Sequence, residues 1–349
     1  MFKRTIIAAT LLTALHSGLA MGFEINPASH DAAAVTRSLK SEYQRYLSRL
    51  TSPTHERITE LTLACAEASK QYDWCDLPAT DLTNAKHFDI DVLKFGVRWN
   101  DDPNNFFRVD QEFTWFFWLK AAGAYPRLIN PTYPLEYRSH YGDMQFLHGM
   151  GRRGDDPVKV RDNVVEWVHF AYDVATGRID PSAQLYTLQG NYAFAKYFEG
   201  SRRRNWTVRH LFTNVSDILC TAACDSLPTD DAQIRNLALG ALLHTVQDSF
   251  SHAHAERVNT GVHAWLDYAA QDPGCHKGAD EDTVWIDASD IHVKPAIAWG
   301  AWFVRSAMLN VPWENGVREE LINRTFALDP HAVEPYGGGY ESGGKHCKL

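Results

Sequence analysis

The sequence has no predicted membrane span beyond its first twenty residues: no later stretch reaches the roughly 18 to 20 consecutive apolar residues that a transmembrane anchor needs. It contains no G-x-S-x-G and no G-x-x-x-x-G-K-[ST], which removes most support for a serine α/β-hydrolase or an ordinary nucleotide-binding enzyme. His55-Glu56-Arg57-Ile58-Thr59 lacks the second histidine of H-E-x-x-H and so fails as a zinc-protease helix. Basic excess is also missing. Lys and Arg number 34 against 43 Asp and Glu, a net charge of −9 without a dense basic stripe, so no stable nucleic-acid partner is expected. Arg202, Arg203 and Arg204 read as a solvated loop. Strand-like alternation is scarce, and neither an internal repeat nor a low-complexity linker occurs.

What is present is globular: 45% hydrophobic and 22% charged residues, too balanced for disorder or a fibre. Lys3 and Arg4 precede an apolar run from Thr5 to Leu15 and the small residues Ser17, Gly18 and Ala20, the layout of a secretory signal peptide over 1–20. Loss of those two cations would move the net charge from −9 to −11. A secreted or periplasmic location follows, and six cysteines in an exported chain suggest disulfides. Cys65 with Cys75 and Cys220 with Cys224 are plausible local pairs, leaving Cys275 for Cys347.

Helical periodicity predicts helices over 35–50, 56–72, 111–122, 162–176, 184–199, 232–250 and 294–309. The fold class is therefore all-α, a single mainly helical domain over 21–330 followed by an irregular tail over 331–349. Phe113-Thr-Trp115-Phe116-Phe117-Trp118 reads first as a core helix and second as an aromatic wall for an acyl chain, a choline-like headgroup or a base.

Histidine is abundant, at 16 residues, which makes a metal site worth seeking. The densest signal is His244-Thr-Val-Gln-Asp248-Ser-Phe-Ser-His252-Ala-His254. His244 and Asp248, four apart on a helix, project from one face, so an imidazole and a carboxylate can meet one ion. Asp248 has two oxygens and can bridge two ions, as two-metal phosphoester hydrolysis requires. A second His-x3-Asp pair stands at His276 and Asp280, with a rival at His263 and Asp267. His55 opens a helix, Asp101 and Asp102 sit in a turn after Trp99, and His140-Tyr-Gly-Asp143 leads to His148. Spacing leaves open His252 or His254, His263 or His276, Asp101 or Asp102, and His140 or His148.

The order His55, Asp101, His140, His244-x3-Asp248-x5-His254, His276-x3-Asp280 resembles the ligand series of the zinc-dependent phospholipase C family and its relatives, the single-strand-specific nucleases. The resemblance covers residues 54 to 280 as short islands. It implies a helical fold around a multinuclear cluster of two or three zinc ions, with Asp248 as the bridge beside Asp101, His140 and His244. His254, His276 and Asp280 would hold another ion, and His55 the ion near the N-terminus. Two departures stand out: no tryptophan lies between Ala20 and His55 to supply the family's N-terminal ligand, and His252 stands where relatives carry a proline. The resemblance gives Asp101 a catalytic role as ligand or general base. The activity it implies is hydrolysis of the glycerol-side phosphodiester of phosphatidylcholine or phosphatidylethanolamine at a membrane surface. The alternatives are a zinc-dependent single-strand nuclease on the same fold and a non-catalytic secreted helical protein stabilised by metal.

Overall fold

The computed structural model describes residues 54–68, 74–75, 77–103, 135–198, 205–213, 230–271, 276 and 293–337. Helix occupies 58% of them and the single sheet among them has two strands, so the molecule is mainly α-helical. The expected leader, the helices over 35–50 and 111–122, the Arg202 to Arg204 loop, Asp280, Cys220, Cys224, Cys275 and Cys347 lie outside the described residues.

The architecture is organised around one helix. Among the described residues the α-helices of six or more residues are, in chain order, α1 (Thr54–Ala68), α2 (Ile90–Val97), α3 (Leu135–His140), α4 (Pro157–Thr176), α5 (Val208–Thr213), α6 (Asp231–Asp248) and α7 (Val293–Met308), and a short 3-10 turn lies at Gln145–His148. A capping box starts α6: Gln233 N–H donates to Asp230 Oδ1 at 2.8 Å, and the Asp230 N–H donates back to Gln233 Oε1. Every residue from Asn236 to Asp248 is buried. A helix apolar on all sides belongs in the interior, and α1, α2, α4 and α7 surround it. Each of Leu239, Leu242 and Leu243, fully buried, contributes about 1.5–3 kcal/mol by leaving water.

Two glycines let α2 and α6 meet backbone to backbone. A Cβ on Gly96 would lie 2.4 Å from the Leu237 carbonyl oxygen, and one on Gly240 would lie 2.4 Å from that of Leu93. Only hydrogen fits at this crossing, which brings the C-terminus of α2 against the turn of α6 that carries His244. At the other end of the bundle, Cys65 and Cys75 form a disulfide. Arg305 of α7 donates to the Cys65 and Ala66 carbonyls at 3.1 and 2.8 Å, satisfying the C-terminal acceptors of α1.

The structure departs from the periodicity at two places. The helix expected over 184–199 is two 3-10 segments, Leu185–Leu188 and Ala193–Phe198, because Gln189, Gly190 and Asn191 interrupt it with a turn. After α6 the chain forms a hairpin, β1 (Ala255–Val258) with β2 (Gly261–Trp265), antiparallel with Ala255 opposite Trp265. A bulge at Glu256/Arg257 breaks its alternation, which hides it from a period-two reading. Asn259, at φ 55°, makes the tight turn. Residues up to 337 remain attached to this hairpin, Asp267 N–H donating to the Tyr336 carbonyl at 2.9 Å. Among the described residues no helix is long and apolar enough to cross a membrane.

Candidate metal centre

The centre forms where α6 ends. Helical spacing puts His244 Nε2 2.8 Å from Asp248 Oδ2. Three further elements then deliver histidines to the same carboxylate. His55, in the first turn of α1, places Nε2 3.3 Å from Oδ1. His148, closing the 3-10 turn, places Nδ1 2.9 Å from Oδ2, and His254 places Nδ1 3.3 Å from it. Asp248 and these four rings are at most 1% exposed. Among the described residues every ion-pair neighbour of Asp248 is a histidine.

Asp101 sits on the turn after α2, fully buried. Its Oδ1 is 3.8 Å from His140 Nε2, 3.9 Å from His148 Nδ1 and 4.0 Å from His244 Nε2. These separations are too long for hydrogen bonds. They approach the about 3.3 Å edge of a tetrahedral site with bonds near 2.0 Å. Three overlapping sets have ligand atoms mutually within 4.8 Å: His55, His244 and Asp248; Asp101, His140 and His148; His148, Asp248 and His254. Each set could hold a metal ion.

The hydrogen bonds behind the rings fix which nitrogen faces inward. His244 Nδ1 lies 2.6 Å from the Val97 carbonyl, His254 Nδ1 2.8 Å from that of His148, and His148 Nε2 3.1 Å from that of Asn100. A carbonyl only accepts, so each of these nitrogens carries the hydrogen, and in a neutral ring the opposite nitrogen keeps its lone pair. Metal-ligating histidines are oriented in this way by their outer partners. His254 Nε2 and Asp248 Oδ1 are buried and make no hydrogen bond among the described residues. Orphaned buried acceptors are costly, and a divalent cation would satisfy both.

The electrostatics agree with that donor set. Burial opposes ionisation of Asp248, but the neighbouring His244 and His254 outweigh it and hold the carboxyl well below its ordinary range. Asp101 is likewise opposed by burial, yet His244, His140 and His148 bring it down to about 2. Burial lowers His148 to about 4, and it lowers His254 and His276, favouring the neutral imidazole that ligates. His244 is the exception: burial would lower it, but Asp248 and Asp101 raise it to about 9. Two buried carboxylates thus draw positive charge to one point.

The open sequence alternatives acquire positions. Asp248 ends α6 with Ser249 as its cap, and Ser251 N–H bonds back to the Asp248 carbonyl at 2.8 Å. The helix therefore stops without a proline, His252 is exposed and His254 is fully buried at the centre. His263 lies on β2, its Nδ1 3.6 Å from Asp329, whereas the His276 ring lies 5.1 Å from that of His254. Asp267 accepts from Gln145 and the Arg153 N–H, away from the cluster. Asp101 belongs to a candidate set and Asp102 to none. His140 and His148 both enter, their rings 4.7 Å apart. Asp143 pairs with Arg138 at 2.7 and 2.8 Å, bracing the turn after α3. Asp280 and the aromatic block over 113–118 lie outside the described residues.

His148, secondary in the spacing argument, occupies two of the three sets. Its local signal is only a histidine before Gly149, whose φ of 59° ends the 3-10 turn. Asn100 was also silent in sequence: its side-chain amide donates to the Leu147 carbonyl at 2.6 Å and to Thr245 Oγ1 at 3.0 Å. That contact ties the Asp101 turn to the His148 turn and to α6. Compared with known proteins, the chain matches no family model, no curated protein and no solved structure.

Proposed function

We propose that this chain is an exported zinc-dependent phosphodiesterase of the phospholipase C type, cleaving the glycerol-side phosphodiester of phosphatidylcholine or phosphatidylethanolamine at a membrane surface. The observation that carries the reading is the convergence of His55, His148, His244 and His254 on the two oxygens of one buried carboxylate, Asp248. Imidazole and carboxylate donors suit zinc, and two or three ions would share this ligand set. Zinc so held supplies Lewis acidity and a water acidic enough to be deprotonated near neutral pH.

The chain's own residues divide the work. Asp248 would be the shared ligand, with one oxygen near His55 and the other near His148 and His244. His140, His148 and His244 stand around Asp101, and His276 beside His254. Asp101 would serve as a ligand or as the general base that orients the attacking water. The resembled series would add Asp280, which lies outside the described residues, to the ligands of the ion at His276. The disulfide supports an oxidising, secreted or periplasmic location. The net charge of −9 favours a phospholipid over a polyanionic nucleic acid.

The test is an assay of purified protein on phosphatidylcholine vesicles, phosphatidylethanolamine vesicles and single-stranded DNA, with zinc and with chelator. Release of phosphorylated headgroup, abolished by chelator and restored by zinc, is expected. Hydrolysis of DNA alone would replace the phospholipase by the nuclease reading. No phosphoester hydrolysis at all would leave a metal-stabilised helical protein. Asp101→Asn is expected to bind metal, stay folded and lose hydrolysis; activity equal to wild type would remove Asp101 from the chemistry.

A further inference from the structure

Three of the clustered imidazoles lean on main-chain carbonyls, but His55 and His276 lean on glutamine side chains. Gln247, one residue before Asp248, is fully buried. Its Nε2 lies 3.0 Å from Thr59 Oγ1, and Thr59 donates its hydroxyl hydrogen to the His55 carbonyl at 2.8 Å. A hydroxyl has one hydrogen, so Thr59 receives from Gln247, and the amide nitrogen must be the atom that faces it. The amide oxygen therefore faces His55 Nδ1, 2.6 Å away. His55 donates there, and its Nε2 lone pair is directed toward the Asp248 side.

The second case rests on a different anchor and reaches the same result. Gln271 Nε2 donates to the Ala253 carbonyl at 2.6 Å. A carbonyl cannot donate, so the orientation of the amide is again forced. Its oxygen faces His276 Nδ1, with which it is hydrogen-bonded. The His276 ring donates, which leaves Nε2 as the nitrogen that would ligate.

The geometry points to Gln247 and Gln271 as positioning residues for the metal centre, each fixing the tautomer and aim of one histidine that serves a different ion. Both acceptors are neutral. Carboxylates commonly take this place behind zinc-bound histidines, but here two buried aspartates already concentrate negative charge. An amide orients the ring without adding to it. The inference rests on the proposed metal reading and deepens it by separating the His55 side from the His276 side.

The experiment uses full-length protein stripped of metal. It is titrated with Zn2+ against a chromophoric chelator and with Co2+ to read the ligand-field spectrum. Gln247→Leu and Gln271→Leu are each expected to weaken one equivalent by about 10–100-fold and spare the others, with different cobalt bands changed. Gln247→Glu and Gln271→Glu, which keep an acceptor, should bind more tightly than the leucine variants. Thr59→Val frees the Gln247 amide to turn and should weaken the same equivalent as Gln247→Leu, by a smaller factor. It carries the test if Gln247→Leu fails to fold. Leucine variants that bind every equivalent like wild type, or glutamate variants no better than leucine, would overturn the inference alone. Wild type that binds neither zinc nor cobalt would overturn the metal reading with it.

Discussion

Among the described residues two long helices each carry a His-x3-Asp pair with a buried carboxylate, and the pairs have opposite fates. On α6, His244 and Asp248 meet at 2.8 Å amid three more histidines. On α4, His169 and Asp173 meet at 3.1 Å. Asp173 accepts from the Tyr192 hydroxyl at 2.6 Å, Arg178 lies 4.0 Å from its other oxygen, and His169 stacks on Trp313 at 4.3 Å. The spacing is identical and the carboxylate is buried in both. What differs is the neighbours: Asp173 meets a phenol at one oxygen and has a guanidinium 4.0 Å from the other, whereas Asp248 is met by imidazoles from three further elements. A His-x3-Asp pair is thus a half-site, and the elements packed against it decide its chemistry.

The strongest test of that contrast is Asp248→Asn against Asp173→Asn. The first removes the shared ligand, and zinc affinity should fall by more than the about 100-fold that outer-shell losses reach; the second should leave zinc stoichiometry unchanged. Equal zinc loss by both, measured by competitive titration, would dissolve the distinction. Next in size, His148→Ala should weaken zinc by more than about tenfold, in keeping with outer- and inner-shell effects on metal affinity. His169→Ala should leave zinc binding unchanged and cost stability through its lost stacking on Trp313, about 0.5–1.5 kcal/mol in denaturant unfolding, together with its contact to Asp173.

Gly240→Ala probes how the α6 pair is placed. Its Cβ would meet the Leu93 carbonyl at 2.4 Å, so α2 and α6 must separate, at a cost of about 1–3 kcal/mol. The Val97 carbonyl would then leave His244, and zinc affinity should fall with stability. Stability lost with zinc binding intact would show that this crossing does not set the site. Asp173→Asn is expected to act on stability alone, costing about 1–2 kcal/mol from weaker hydrogen bonds to Tyr192 and His169. Its melting temperature should respond to chelator as wild type does.

Much of the site was legible because two of its links are local. Four-residue spacing on a helix predicts the His244 and Asp248 face, and Asp230 with Gln233 marks where α6 begins. The ten-residue separation of Cys65 and Cys75 made their disulfide readable. His148 was harder, since 96 residues separate it from His244 and no period connects them. The hairpin was missed because its bulge breaks the alternation. The two glutamines were invisible for a simpler reason: an amide gives no motif until its partners are in place.

By itself the sequence determined a mainly helical chain and the residue types able to ligate metal, because helical period, capping and i,i+4 geometry act over a few residues. Tertiary structure decided the rest. It brought His148 in beside His140, turned His254 rather than His252 inward, set His276 beside His254, and sent His263 to Asp329. The physical reason is burial. Once α6 is enclosed and Asp248 is cut off from water, the elements packed around it must supply its partners, and these come from positions far apart in the chain.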